Sequence, residues 1–272
     1  MSDAAPRPPV HLDTSVPNVA RMNDYFLGGK DNFAADRQAA EEVLAIAPEI
    51  RTISKEIQAF LGRAVRHLID QGVTQFLAVE PGLPTQRNVH QVAQAIEPAA
   101  RVAYVADDPV VLSHAQAILA TDPRTIVVRG DVLHPDDLLA EPELRRFLDL
   151  DQPVAVVIPS ALHFIPDEDD PFKNVALLRD ALPVGSYLAL AHVVFDTRPE
   201  AAGPLGDIYR KILNRSEDVS RTRRQVLRFF DGLELVEPGL VYVRQWRPDS
   251  ALASHRPEKA WSVAGVARKT DG

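Results

Sequence analysis

The chain has no cysteine among its 272 residues. That excludes disulfides, thiolate metal sites and cysteine nucleophiles. Aromatic residues make up only 6%, and lysine is confined to positions 30, 55, 173, 211, 259 and 269, so most positive charge is arginine. Positive charge is also in deficit: 30 basic against 38 acidic residues leave a formal net charge of −8. No basic field exists to draw in nucleic acid or an anionic membrane. No apolar run approaches the roughly 20 residues of a membrane span. The opening MSDAAPRPPVHLDTSVPN sets prolines and acids where a secretory leader needs a basic patch and an apolar core, so the expected location is the cytoplasm. Neither G-x-G-x-x-G nor G-x-x-x-x-G-K-[ST] is present, and a dinucleotide or P-loop reading fails with them.

What remains is a well-supplied globular chain, 46% hydrophobic and 25% charged. It is long enough to bury a large core without covalent staples. Residues 1–18 are Pro-rich and read as a flexible tail. RMNDYFLGGKDNFAADR (21–37) follows, dense in polar and aromatic groups around Gly28-Gly29. Helices are expected over 36–47 and 52–70. In the second, Ile53, Ile57, Phe60, Leu61, Ala64, Val65, Leu68 and Ile69 form one apolar stripe, ended by Gly72. Residues 19–72 are therefore taken as a helical cap.

From there the pattern alternates. QFLAV (75–79), RVAYVA (101–106), TIVVRG (125–130), PVAVVIP (153–159) and SYLALAH (186–192) are short, nearly continuous apolar runs, as strands covered on both faces must be. Helical stretches at 85–97, 109–120, 135–149 and 170–182 separate them, and another lies near 204–230. Five strand–helix repeats predict a Rossmann-like α/β domain over 73–250 with a parallel sheet. LELVEPGLVYVRQW (233–246) reads as a closing antiparallel hairpin turned at Glu237-Pro238-Gly239. Residues 251–272 read as a peripheral tail.

Open α/β sheets bind ligands at the carboxyl ends of their strands. Those ends are Glu80 to Thr85, Ala106 to Pro109, Gly130-Asp131, Ser160 to His163, and His192. Here the chain resembles the S-adenosyl methyltransferase family of high-GC bacteria, similar to class I methyltransferases dependent on S-adenosylmethionine (SAM). The resemblance rests on DYFLGGKDNFAADR (24–37), GLPTQRNVH (82–90), RVAYVADDPVVLSHA (101–115), ALHFIPDEDDP (161–171), PVGSYLALAH (183–192) and FFDGLELVEPGLVYVRQWRPD (229–249). It implies the class I fold, a SAM pocket capped by the N-terminal helices, and a small-molecule substrate. On this resemblance Gly82, Asn88, Asp107 and Asp131 belong to the cofactor side, and Lys30, Asp31, Asn32 and His192 to the substrate side. His163, Glu80 and Tyr25 are the catalytic candidates. No metal is expected, and homo- or hetero-oligomers are compatible with the chain.

Three departures from the family pattern bear on the cofactor. An acid-Ile-Gly-Thr-Gly run is usual after strand one; here Ala78-Val79-Glu80-Pro81-Gly82 stands. Proline removes an amide donor. A glutamate about 4 Å from a ligand carboxylate, at an effective dielectric near 20, repels it by roughly 4 kcal/mol. An aspartate that grips the ribose usually ends strand two; here it is Ala106, with Asp107 one step along and facing the other way. On the capping helix Glu56-Ile57-Gln58 replaces a usual Ala-Asn-Arg. A combined loss on the order of 5 kcal/mol weakens binding several-thousand-fold. Three readings follow. The first is an enzyme, by family habit one of specialised metabolism, with a degenerate SAM site, turned to SAM-independent intramolecular displacement, cyclisation or elimination. The second is an ordinary SAM-dependent small-molecule methyltransferase, and the third a non-catalytic partner subunit.

Several residues carry two readings each. His163 is a general base facing substrate, or a ring filling the core beside Phe164. Asp131 faces the adenine amino group, or caps the helix near Pro135. Glu80 is an active carboxylate or a drifted loop residue. Glu168, Asp169 and Asp170 resemble a metal cluster, or start the next helix. Arg221, Arg223 and Arg224 form a solvated face, or hold an anionic group if they point inward.

Overall fold

The computed structural model describes residues 13–79, 82–83, 88–119, 122–215, 219–250 and 257–271. Three helices come first: α1 (Val19–Leu27), α2 (Ala34–Ile46) and α3 (Ile50–Asp70). The alternating part then runs β1 (Gln75–Val79), α4 (Val89–Ile96), β2 (Arg101–Ala106), α5 (Pro109–Leu119), β3 (Thr125–Arg129), α6 (Pro135–Ala140), α7 (Pro142–Phe147), β4 (Ala155–Ile158), α8 (Pro171–Ala181) and β5 (Tyr187–Val193). It closes with α9 (Pro199–Leu213), α10 (Arg223–Leu227), β6 (Glu234–Leu235), β7 (Val241–Tyr242) and β8 (Ser262–Arg268). No described helix is long and apolar enough to cross a membrane.

The sheet order is β3-β2-β1-β4-β5-β8-β6, with β7 also paired to β8. Strands β1 to β5 are parallel to their neighbours, and β8 is antiparallel to β5. Strand order reverses between β1 and β4, which opens the crevice where such sheets take ligands. Successive side chains alternate between two cores. Phe76, Ala78, Val102, Tyr104, Ala155 and Val157 face the layer containing α1, α2 and α3. Leu77, Val79, Ala103, Val105, Val156 and Ile158 face the layer of α6, α7 and α8. That is the period of two expected of strands covered on both faces.

Helix α3 follows its stripe: Ile53, Ile57, Phe60, Leu61, Ala64, Val65 and Leu68 are all buried. The stretch expected as one helix over 135–149 is two. Glu141, at φ −57 and ψ 118, breaks it ahead of Pro142. A residue preceding proline is pushed out of the helical region, and the proline supplies no amide to continue the ladder.

The C-terminal expectation needs correction. Residues 233–246 do not form a hairpin. Glu234 and Leu235 pair with Arg268 and Ala267, while Val241 and Tyr242 pair with Ala264 and Val263. Both short strands therefore run in one direction along the same partner. Gly239, at φ +84, donates its amide to the Val236 carbonyl at 2.8 Å, so the Glu237-Pro238-Gly239 turn is an excursion of one interrupted edge strand. Nor is the end of the chain peripheral. Strand β8 pairs with β5 from Tyr187–Arg268 to Val193–Ser262, and Val263, Ala264, Val266 and Ala267 are fully buried.

The dense segment at 24–32 has a folding role. The Gly29 amide donates to the Asp24 carbonyl at 2.8 Å. Asp24 is itself buried, and its Oδ2 accepts from the Asp31 amide at 2.9 Å and from Asn32 Nδ2 at 2.8 Å. A Cβ on Gly29 would fall inside the Asp24 carboxylate. Gly29→Ala should therefore destabilise the protein by about 2–3 kcal/mol, through overpacking and the loss of these bonds. A urea midpoint unchanged from wild type would refute that. Beside this knot, the buried Arg21 and Asp36 pair at 2.8 Å, and the Asp36 carboxylate also accepts the amides of Asn18 and Phe33 at 2.8 Å each. A buried pair with its other lone pairs filled joins α1 to α2.

Candidate active site

One cavity of about 400 Å³ lies over the carboxyl ends of β1, β2, β4 and β5. This is within the size range of small-molecule sites. Helices α1 and α3 roof it with Asn18, Asn23, Phe26, Ile53, Ile57, Gln58 and Leu61. At one end lie Gly82, Leu83, Asn88, Ala106, Asp107, Asp108, Asp131 and Leu133. At the other lie His163, Phe164, His192, Phe195, Tyr209, Arg215 and Trp261. The ends differ in kind, one edged with carboxylates and the other walled by rings.

The acidic end owes its shape to the loops after β1, β2 and β3. Gly82 sits at φ +80, and a Cβ there would meet only Asn23 Nδ2, at 3.9 Å. Glycine thus leaves open room where the chain leaves β1. Leu83, Ala106 and Val111 form a small buried apolar cluster with Ala20 and Leu112 against it. Asp107 is exposed and paired with Arg129 at 3.0 Å. Asp108 accepts Asn18 Nδ2 at 2.7 Å and the Val111 amide at 3.1 Å, tying α1 to the start of α5. Asp131 accepts the Leu133 amide and faces His134 Nδ1 at 3.1 Å. It shapes the loop before α6 rather than capping that helix, whose N-cap residue is His134.

The ring-walled end centres on a buried cluster that carries one fixed charge. Arg221 was expected on a solvated face, but it is buried. All five of its N–H groups are engaged. Nε and Nη2 donate to Asp167 Oδ1 at 3.1 and 2.6 Å, Nη1 to the Leu162 carbonyl at 2.7 Å and to His192 Nε2 at 3.3 Å, and Nη2 to the Ile165 carbonyl at 2.7 Å. Arginine has no more donors to give, so it is closed to an anionic ligand. It also fixes the His192 tautomer. Because Arg221 only donates, Nε2 carries the lone pair, and Nδ1 donates its proton to the Val193 carbonyl at 2.5 Å. The His163 ring packs 5.2 Å from the His192 ring and 4.8 Å from Phe164, and its buried Nδ1 has no hydrogen-bond partner among the described residues. Burial, then the nearby His192 and Arg221, hold His163 well below the ordinary histidine range. It is a neutral ring at physiological pH, which can accept or donate one hydrogen bond.

His192 is likewise pushed down, to about 3, chiefly by burial and next by Arg221. In the unfolded chain its ring takes a proton below about pH 6.5. The stability of the neutral buried ring is thus whole above pH 6.5 and is lost as pH falls toward 3. Between pH 7 and pH 5, His192 alone should remove about 2 kcal/mol from the unfolding free energy. His192→Asn keeps an amide donor and an acceptor but does not titrate. Urea unfolding at the two pH values should show a correspondingly smaller acid loss in that variant; an equal loss would refute the assignment.

Of the other residues singled out in the sequence, Gly82, Asn88, Asp107, Asp131, His163 and His192 line the cavity. Lys30, Asp31, Asn32 and Tyr25 do not. Lys30 and Asp31 are exposed, Asn32 is locked onto Asp24, and Tyr25 donates to Glu41 Oε1 at 2.5 Å beneath the Arg51 guanidinium. Glu80 and Pro81 lie outside the described residues. Glu56 does not add charge to the cavity: it faces Arg244 at 3.2 Å, while Ile57 and Gln58 line the wall. Asp167 to Asp169 form a single helical turn before α8, with Asp170 as its N-cap residue. Missing from the sequence reading were Phe195, Tyr209 and Trp261, which reach the cavity from segments that carry no motif, and Asn23, which lies in the 21–37 segment but was not singled out there.

The sheet order and the cavity over its strand ends define the class I methyltransferase fold. Plantazolicin methyltransferases crystallised with S-adenosylhomocysteine (SAH) share it at TM-scores of 0.50 and 0.51, with 12% and 9% identity. The chain belongs to the S-adenosyl methyltransferase family, whose model matches residues 6–270. A DUF574 family protein from Streptomyces avermitilis is 39% identical over 94% of this chain and 99% of its own, with a TM-score of 0.88. A candidate methyltransferase from Thermobifida fusca is 41% identical over 97% and 99%, also at 0.88. No protein of curated function matches the chain.

Proposed function

We propose that this protein is a SAM-dependent methyltransferase acting on a small molecule, with a cofactor site weaker than the family pattern provides. The observation that carries the reading is one cavity with two chemically distinct ends, acids and open backbone at the β1–β3 end, rings and neutral histidines at the β4–β5 end. The residues present fit the cofactor. Gly82 leaves room for an amino-acid moiety beside Asn23 and Asn88, Leu83, Ala106 and Val111 offer an apolar bed for a base, and Asp131 offers an acceptor to an amino group. Bound there, SAM supplies an electrophilic methyl group. The chain's own residues position the acceptor against it and exclude water, the main requirements of an in-line displacement. His163, a neutral ring that lines the cavity, is the candidate to orient the acceptor.

The weakening rests on Ala106, which lines the cavity at the end of β2 without a carboxylate, while the neighbouring Asp107 is engaged by Arg129. A missing charge-assisted hydrogen bond is worth about 1.5–3 kcal/mol, or roughly 10- to 150-fold in affinity. Glu80 and Pro81 add to the effect by their chemistry. Calorimetric titration with SAH should give a dissociation constant of high micromolar or weaker. No binding up to millimolar concentration would end the transferase reading; nanomolar binding would end the weakening. The SAM-independent alternative needs arginines free to hold a leaving group, and Arg221, the buried member of the 221–224 group, is fully occupied.

A further inference from the structure

The face that α1 turns to the cavity carries one side chain out of keeping with the rest. Val19, Ala20, Asn23, Phe26 and Leu27 line the cavity, at the spacing of one helix face, while Arg21, Met22 and Asp24 are buried and do not line it. Four of the five are apolar; Asn23 is the exception. It is half-buried, with its remaining surface on the cavity side. Leucine there would complete the stripe and suit the helix better by intrinsic propensity. A partly desolvated carboxamide is costly unless something hydrogen-bonds it, and a local rule broken in this way points to a ligand. The position of Asn23 says which part of a ligand it meets. Its Nδ2 faces Gly82, 3.9 Å from where a Cβ on that glycine would lie. An acceptor atom beside Gly82, in the room its missing side chain leaves, is within reach of Nδ2, which only donates. The helix that carries Asn23 is fastened on both sides of it. Asn18 caps α1 and donates to Asp108 Oδ2 at 2.7 Å, Arg21 pairs with Asp36 at 2.8 Å, and Asp24 accepts the Asp31 amide at 2.9 Å. A donor on a fixed frame is preorganised, so little of its bond is lost in ordering it.

We propose that Asn23 reads the amino-acid end of the cofactor, its Nδ2–H donating to the ligand's carboxylate beside Gly82. This rests on the SAM reading above and adds the residue that tells the whole cofactor from its nucleoside part. Equilibrium dialysis of the full chain at pH 7 compares two probes, SAH and 5′-methylthioadenosine, which keeps the nucleoside and the sulfur but ends in a methyl group. Asn23→Leu keeps the size of the side chain and removes the donor. It should weaken SAH binding about tenfold, the worth of one charge-assisted hydrogen bond, and leave 5′-methylthioadenosine within about twofold of wild type. Asn23→Asp, nearly the same shape, removes the donor and sets a like charge against the carboxylate, so it should weaken SAH further and again spare 5′-methylthioadenosine. It also serves as the test if Asn23→Leu does not fold. An equal loss for both probes overturns the proposal, since Asn23 would then meet the nucleoside or only support the fold. SAH affinity unchanged in both variants overturns it and leaves the transferase reading standing. Tighter SAH binding by Asn23→Asp overturns it in favour of the ligand's ammonium. Wild-type protein that binds neither probe removes the cofactor reading and the proposal with it.

Discussion

Arg221→Met should lower the unfolding free energy by about 3–5 kcal/mol, whereas Arg224→Met, three residues on and exposed, should change it by less than about 0.5 kcal/mol. The asymmetry has a specific source. Asp167 is 54% exposed at its side chain, so once released it regains water and contributes little to the loss. The loss comes from the acceptors that cannot. The carbonyls of Leu162 and Ile165 and the Nε2 of buried His192 all lose their donor together, at about 1–3 kcal/mol for each unmet group. Arg221→Lys should recover little, because an ammonium has three donors and no planar fork to reach four acceptors in three directions. Chemical unfolding of the three variants checks the order. A lysine variant as stable as wild type would show that charge, rather than the fork, holds this corner. Removal of the guanidinium should also raise the His192 pKa toward its ordinary value, since Arg221 is the second cause of its depression. The acid sensitivity of Arg221→Met should then be shallower than that of wild type.

That corner also shows what a sequence carries and what it does not. The strands were legible because burial on both faces writes itself locally as runs such as QFLAV and RVAYVA, and β1 and β2 span the residues those runs predict. The stripe on α3 was legible for the same reason, since one helix face against a core leaves a fixed spacing. Arg221 was not. Three arginines within four residues look alike until the chain places one of them beneath a histidine from β5 and two carbonyls from the loop after β4. Strand β8 was missed because SVAGVAR is rich in alanine and glycine and follows a polar stretch, so little marks it locally; its identity as a strand comes from seven residues of pairing with β5. The Glu-Pro-Gly turn misled in the opposite direction, since a turn signal reports a change of direction but not which strand the chain rejoins. At the site, the strand-end rule found His163, His192, Asp107 and Asp131. It could not find Trp261 or Tyr209, which arrive from β8's approach and from α9; the resemblance set Lys30, Asp31 and Asn32 on the substrate side, but none of them lines the cavity, and the Asp31 amide and Asn32 side chain bond to Asp24.

Ala106→Asp should tighten binding of SAH by about 10- to 100-fold and at the same time make the ligand-free protein less stable. Ala106 is the last residue of β2, is 4% exposed, and lines the cavity beside Leu83 and Val111. An aspartate there would lie on the cavity side; Asp107 also borders the cavity but is held by Arg129 and does not substitute for it. Without ligand, the new carboxylate sits in an apolar cluster with no partner, and burying a polar group unpaired costs on the order of 1–3 kcal/mol. With a ribose present, the same carboxylate accepts hydroxyl hydrogen bonds worth about 1.5–3 kcal/mol to a charged acceptor. The two effects have opposite signs in one variant, and this separates a cofactor role from a change in packing. Thermal unfolding should show a lower midpoint for the free variant and a larger rise with saturating SAH than in wild type, since stabilisation by a ligand grows with concentration over dissociation constant. Ala106→Asn, of similar size and uncharged, should give a smaller gain. If Ala106→Asp binds SAH no better than wild type while remaining folded, the end of β2 does not meet the ribose. If titration gives a weak affinity for SAH, its source would then be the turn after β1.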